Sequence, residues 1–239
     1  MSNLLTRKEI DQRVKDKKHS ILQFLRDERF TDVEVISKLI DVGHLTSVRN
    51  TLKAMQKEDL VVSHKVGRKV VWGVTIHGVM MSYQDGETIP ENVYAFRPSK
   101  FNELTFEHKK AMQLCRIAAL KNGWCDWVLA RIEKGVKVPD AIALNSEGER
   151  VAVEYERTVK TPKRYTAIFI SHLESIKARR YKKVTYICPT EAVRKRVESQ
   201  FLRLVDKPVQ ITGGVVTVNS ELMNQIFSFK LLESFTNED

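Results

Sequence analysis

Thr46-Ser47-Val48-Arg49-Asn50-Thr51-Leu52-Lys53-Ala54-Met55, followed by Leu60-Val61-Val62-Ser63-His64 and Lys69-Val70-Val71-Trp72-Gly73-Val74-Thr75, is the stretch that sets the amino-terminal fold. In the first run Val48, Leu52 and Met55 recur at helical spacing and turn inward, which leaves Ser47, Arg49, Asn50 and Lys53 on the wet face, available to a DNA groove. The two later runs are rich in β-branched residues and flank the basic, glycine-containing turn Lys65-Val66-Gly67-Arg68, so they read as a hairpin. Upstream, Ile10, Val14, Ile21, Leu22 and Leu25 predict a helix from about Arg7 to near Arg29. Thr31-Asp32 offers capping oxygens to a second helix carrying Val33, Val35, Ile36, Leu39 and Ile40, and Gly43 sits where the chain must reverse.

Three helices and a hairpin in this order resemble the winged helix-turn-helix family over residues 7–76. The resemblance implies that the third helix enters the major groove while the hairpin touches the backbone. Ser47, Arg49, Asn50 and Lys53 would then meet bases or phosphates, and Lys65, Arg68 and Lys69 would meet phosphate. Use of such a module for protein contact is the competing reading. Between Gly78 and Lys100, Asp85-Gly86-Glu87, Pro90, Pro98 and Ser99 interrupt any periodicity. The expected organisation is therefore a winged-helix domain over 1–78, a linker over 79–100 and a second domain over 101–239.

Composition agrees with two folded domains: 239 residues, 42% of them apolar, exclude a disordered chain. Forty lysines and arginines against thirty acids give a net charge of +10, which favours a polyanionic partner, nucleic acid first, over a merely solubilising surface. Cys115, Cys125 and Cys188 are too few and too scattered for a disulfide framework or a closely spaced zinc site, which fits a reducing compartment. The start MSNLLTRKEI turns polar too early for a signal peptide, and no apolar run reaches membrane-spanning length. A cytoplasmic protein without a membrane partner is expected.

Residues 104–122 predict an amphipathic helix with Leu104, Ala111, Leu114, Cys115, Ala118 and Ala119 on or near one face, ended by Gly123 and carrying Glu107 and His108 in its first turns. Val138-Pro139-Asp140-Ala141-Ile142-Ala143-Leu144-Asn145 reads as a strand, Ser146–Glu149 as a turn, and Arg150-Val151-Ala152-Val153-Glu154-Tyr155-Glu156 as the hairpin partner. Alternation puts Glu154 and Glu156 on the face of Ala152. With Asp140 on the neighbouring strand, three carboxylates can converge, and a hard cation, Mg²⁺ or Mn²⁺, would relieve their repulsion.

Pro139-Asp140 followed by Glu154-Tyr155-Glu156 resembles the PD-(D/E)xK nuclease superfamily, with glutamate where lysine is usual, so either Glu156 or Lys160 fills the third polar position. The longer run Glu154-Tyr155-Glu156-Arg157-Thr158-Val159-Lys160, continuing to Arg164-Tyr165, resembles the MobC-type plasmid mobilisation relaxases and the replication-relaxation family. Those families also join a winged helix to a nuclease-like domain. The resemblance implies a nicking endonuclease acting on double-stranded plasmid DNA at a transfer origin, with other mobilisation or coupling proteins as further partners. In it Asp140, Glu154 and Glu156 would hold the metal, Lys160 would steady phosphate or water, and His108 would stand near the site.

From Arg157 to Lys183 nine lysines and arginines, Lys163 and Arg164 among them, face the single acid Glu174, as a helix gripping a phosphate backbone would. Thr161-Pro162 supplies that helix's cap and first residue. Lys183–Cys188 predicts a buried strand, Glu191–Val205 a helix and Val215–Val218 a final strand, so the fold class is α/β (α+β), and the nuclease resemblance implies that the carboxyl-terminal domain is restriction-endonuclease-like. No two of the histidines are separated by one residue, which disfavours tyrosine-type relaxase chemistry and favours hydrolysis by activated water. The competing function is a non-catalytic origin-binding relaxosome or replication accessory protein. A repressor with a ligand-sensing second domain would leave the carboxylates without a role.

Overall fold

The structure is a computed structural model, described for residues 6–130 and 138–237. The chain divides between Gln113 and Leu114 into two compact units. The first begins with α1 (Arg7–Glu28), where Thr6 accepts the Glu9 N–H and the Glu9 carboxylate takes the Thr6 N–H at 2.7 Å, a reciprocal capping box. After β1 (Phe30–Asp32), the Asp32 carboxylate caps α2 (Val33–Leu39) by accepting the N–H groups of Glu34 and Val35, both at 3.0 Å. Then come α3 (Leu45–Lys57), β2 (Val61–Val66), β3 (Lys69–Val74) and α4 (Ile76–Met80). Val48, Leu52 and Met55 are fully buried, as their spacing requires. The antiparallel sheet has the order β1-β3-β2. The sequence reading lacks β1, because three residues are too few to display alternation.

Residues 79–100 do not form the expected free linker. Alternation along β3 sends Trp72 and Val74 to one face of the sheet and Val71 and Gly73 to the other. That second face is covered by Phe96 and Phe106, which pack with Val71, Val62, Phe30 and Phe101. The Phe96 N–H bonds to the Val74 carbonyl at 2.9 Å, and a methyl group on Gly73 would overlap the Phe96 ring. Proline and glycine signal a loop here correctly, but one aromatic in that loop supplies the cover that an amphipathic sheet face needs.

The boundary also falls later than expected, inside α5 (Glu103–Lys121). Its first half is tied into the first unit by a buried polar knot. Gln113, wholly buried, donates to the Phe30 carbonyl at 2.8 Å and to Glu28 at 3.2 Å, and accepts from the Thr31 hydroxyl at 2.6 Å. Lys109 neutralises the buried Glu28 at 3.1 Å.

In the second unit the remainder of α5 buries Cys115, Ala118 and Ala119 and ends at Gly123, whose φ of +78° is the left-handed turn glycine allows. Leu104, placed on the same face by its spacing, is 80% exposed. The unit continues with β4 (Cys125–Leu129), β5 (Ala141–Leu144), β6 (Arg150–Tyr155), α6 (Pro162–Lys177), β7 (Lys183–Cys188) and α7 (Glu191–Leu202). It closes with β8 (Pro208–Ile211), β9 (Gly214–Thr217), α8 (Ser220–Ile226), β10 (Phe227–Leu231) and α9 (Leu232–Thr236).

A five-stranded sheet runs β10-β7-β6-β5-β4, antiparallel from β4 to β6 and parallel from β6 through β7 to β10. The fold is α+β. The expected final strand over 215–218 belongs instead to a separate β8-β9 hairpin, and the sheet's last member is β10, which follows α8 with no intervening turn residues to announce it. Tyr165 and Phe169 of α6, Val197 and Phe201 of α7, and Tyr186 and Phe227 of the sheet make the main core. No helix among the described residues is long and apolar enough to cross a membrane.

Candidate nucleic-acid interface and carboxylate site

On α3 the burial of Val48, Leu52 and Met55 fixes the helix's rotation, so Ser47, Arg49, Asn50 and Lys53 are all exposed. Lys65, Arg68 and Lys69 are exposed at the β2–β3 turn, where Gly67 takes φ +58°. Arg49 and Lys53 line one groove with Gln56 and Ser63, which are 3.3 Å apart, and with Arg68, Lys69 and Trp72; its volume is about 540 Å³. Arg49, Lys53 and Arg68 hold no ion pair among the described residues. Lys69 differs. Its ammonium pairs with Glu107 of α5, and that hydrogen bond raises the lysine's pKa.

The β5–β6 register pairs Ala141 with Val153, so Asp140, one residue ahead of β5, comes level with Glu154. Asp140 accepts the Tyr155 N–H through Oδ2 at 2.8 Å. Glu154 Oε1 lies 3.5 Å from Nε2 of His172, a residue only 2% exposed. The imidazole is held between two hydroxyls, Tyr181 at 2.8 Å from Nδ1 and Tyr186 at 3.0 Å from Nε2. Glu156, also buried, pairs with the Lys160 ammonium, and the Lys160 N–H donates to the Tyr165 hydroxyl at 3.3 Å.

Among the described residues no group of three or more His, Cys, Asp and Glu side chains is placed to hold a metal, so the expected Asp140, Glu154 and Glu156 cluster is not brought together there. The physical reason is local. Lys160, four residues along the chain, pairs with Glu156, while Glu154 faces His172 and Asp140 accepts the Tyr155 N–H, so each carboxylate has its own protein partner. His108 sits on the part of α5 that belongs to the first unit. Lys163 and Arg164 are exposed in the first turn of α6, which Thr161 caps and Pro162 opens as their types predict.

Burial sets the acid-base character of the surroundings. It pushes the Tyr165 and Tyr181 hydroxyls up to about 12 each and also raises Tyr186 well above the usual tyrosine value. Burial likewise raises the Cys188 thiol to about 12 and, together with the nearby Asp140 charge, lifts Cys115 strongly, so neither is a thiolate nucleophile near neutral pH. The His172, Tyr181 and Tyr186 constellation was hidden from sequence reasoning, because its members come from α6, its following loop and β7 with no spacing signature.

No protein-family model and no curated protein matches the chain. Among solved structures, the apo form of the C30AH42A mutant of ZitR from Lactococcus lactis is similar over 31% of this chain and 58% of that one, at 20% identity and a TM-score of 0.26. This chain thus spans little more than half the length of that neighbour.

Proposed function

We propose that this is a duplex-DNA-binding protein that reads a site with a winged-helix module, α3 in the major groove and the β2–β3 turn on the backbone. The observation that carries the reading is the trio Arg49, Lys53 and Arg68, exposed on one groove and without ion-pair partners among the described residues. The groove also holds Asp32, Glu34 and Glu107, but these pair with Lys110 and Lys69, so Arg49, Lys53 and Arg68 are left to attract phosphate, and the chain's charge of +10 adds long-range attraction of the same sign. Arg49 projects from a helix face and can address base edges, whereas Arg68 sits at a turn suited to phosphate. Binding of the full chain to duplex, followed by fluorescence anisotropy, tests this. With Lys53 and Arg68 on phosphate, affinity should fall at least about 12-fold between about 50 and 200 mM salt. Salt-independent binding, or none, would refute it.

A second reading is metal-dependent nicking at a plasmid transfer origin, with mobilisation or coupling proteins as partners in the cytoplasm. It is favoured by Asp140 standing level with Glu154, and by the exposed Lys163 and Arg164 in the first turn of α6 of the same unit. Asp140 and Glu154 would hold Mg²⁺ or Mn²⁺, which would activate water, while Lys160 would keep Glu156 neutralised or steady the phosphate. Supercoiled plasmid carrying a cognate origin should become open circles with wild-type protein and not with Asp140→Ala. Absence of nicking by wild type would leave the non-catalytic origin-binding or replication accessory role.

A further inference from the structure

Arg29, Tyr94, Phe96, Arg97 and Lys100 surround a second cavity of the first unit, about 260 Å³ in volume, with Phe30 also in its wall. No carboxylate lines it. Arg97 and Lys100 are exposed and hold no ion pair among the described residues. The Arg29 guanidinium stands 5.1 Å from the centre of the Tyr94 ring, and Tyr94 is 58% exposed. Arg29 adopts φ +68° while its N–H closes α1 on the Leu25 carbonyl, a position that ordinarily favours glycine or asparagine. Three cations gathered without a counter-charge repel one another, and an exposed ring beside them offers a flat apolar face.

We propose that this cavity seats one unstacked nucleotide, its base against Tyr94 and its phosphate on Arg97 and Lys100. Each half of such a ligand meets the feature that calls for it: phosphate forms charge-assisted bonds with arginine and lysine, and a base stacks on an aromatic or guanidinium plane. An intact duplex presents phosphate but keeps its base faces covered, so it satisfies only half of the site. The volume lies just below the roughly 300–1,000 Å³ of sites that enclose a whole ligand, which suits one nucleotide held with its neighbours outside. No lining residue is shared with the α3 groove, so the site stands or falls separately from duplex binding. The nucleotide can come from a single strand or from the free pool.

The test uses the full chain with three probes: dAMP by calorimetry, and short single-stranded oligo(dT) and a blunt duplex by anisotropy. Tyr94→Ala should weaken binding to the oligonucleotide about tenfold or more, Tyr94→Phe should keep it within about twofold, and Arg97→Glu should weaken it at least as much as Tyr94→Ala. Duplex affinity should be unchanged in Tyr94→Ala. Binding of oligo(dT) alone identifies a strand as the source, and binding of dAMP as well identifies the free nucleotide as sufficient. The proposal is overturned if wild type binds neither probe, or if Tyr94→Ala and Arg97→Glu bind both as wild type does. Loss of duplex binding in wild type with Tyr94-dependent oligo(dT) binding intact would remove the duplex reading and keep this one.

Discussion

Arg49 and Arg68 are both exposed arginines on one groove, yet their supports differ, one a helix face and the other a hairpin turn. Arg49→Ala should therefore cost about 1–3 kcal/mol on a selected site and much less on random duplex, whereas Arg68→Ala should weaken both alike. Competition anisotropy with the two DNAs measures this, and equal losses for Arg49→Ala would count against α3 as the reading helix. Gly78 shows a stricter constraint. A methyl group there would run into the Leu60 carbonyl, which is backbone and cannot swing aside, so Gly78→Ala should lower the thermal midpoint, whereas Gly43→Ala, with open space around it, should not. A scan by calorimetry in which both variants melt alike would contradict the close approach.

Elements show which signals a sequence can carry. The alternation and turn chemistry of residues 60–75 placed β2 and β3, and the pairing of Thr161 with Pro162 placed the start of α6, because each depends on neighbours in sequence. The covering of the sheet's second face by Phe96, and the Gln113 knot with Glu28 and Thr31, depend on partners tens of residues away and left no local trace. The carboxylates divide in the same way. Alternation along β6 was legible and put Glu154 and Glu156 on one face, but the partners that occupy them, His172 and Lys160, arrive through the tertiary path of α6 and the loop before it. Two stability consequences follow at this scale. Phe96→Ala should destabilise the first unit by about 3 kcal/mol, since it uncovers Val71 and Phe30 together. Thr161→Ala should cost the second unit about 1 kcal/mol, the usual worth of a helix cap. Denaturant unfolding followed by circular dichroism checks both, and an unchanged midpoint for Phe96→Ala would mean that the segment before α5 does not shield the sheet.

Across the whole molecule, charge and burial set how the protein responds to its solvent. Tyr165 and Tyr181 have hydroxyl pKa values raised from 10 to about 12, chiefly by burial. At pH values below 10 both the folded and unfolded chains keep these protons. Between pH 10 and 12 the unfolded chain releases them while the folded chain retains them, so stability must fall as pH rises through that window. Unfolding curves at stepped pH should show the loss, and Tyr181→Phe should make it shallower; stability that stays flat to pH 12 would contradict the burial of these hydroxyls. If the protein binds duplex as proposed, the charge of +10 should favour binding at low salt and salt should weaken it by screening the groove. The most direct test of duplex binding through α3 and the hairpin is the slope of log affinity against log salt for wild type and for the triple variant Arg49→Ala, Lys53→Ala, Arg68→Ala. The expected result is lower affinity and a slope shallower by about 1.8 in the triple variant, one counterion's worth for each of the phosphate-facing Lys53 and Arg68. An unchanged slope and affinity would show that the DNA, if bound, is held elsewhere.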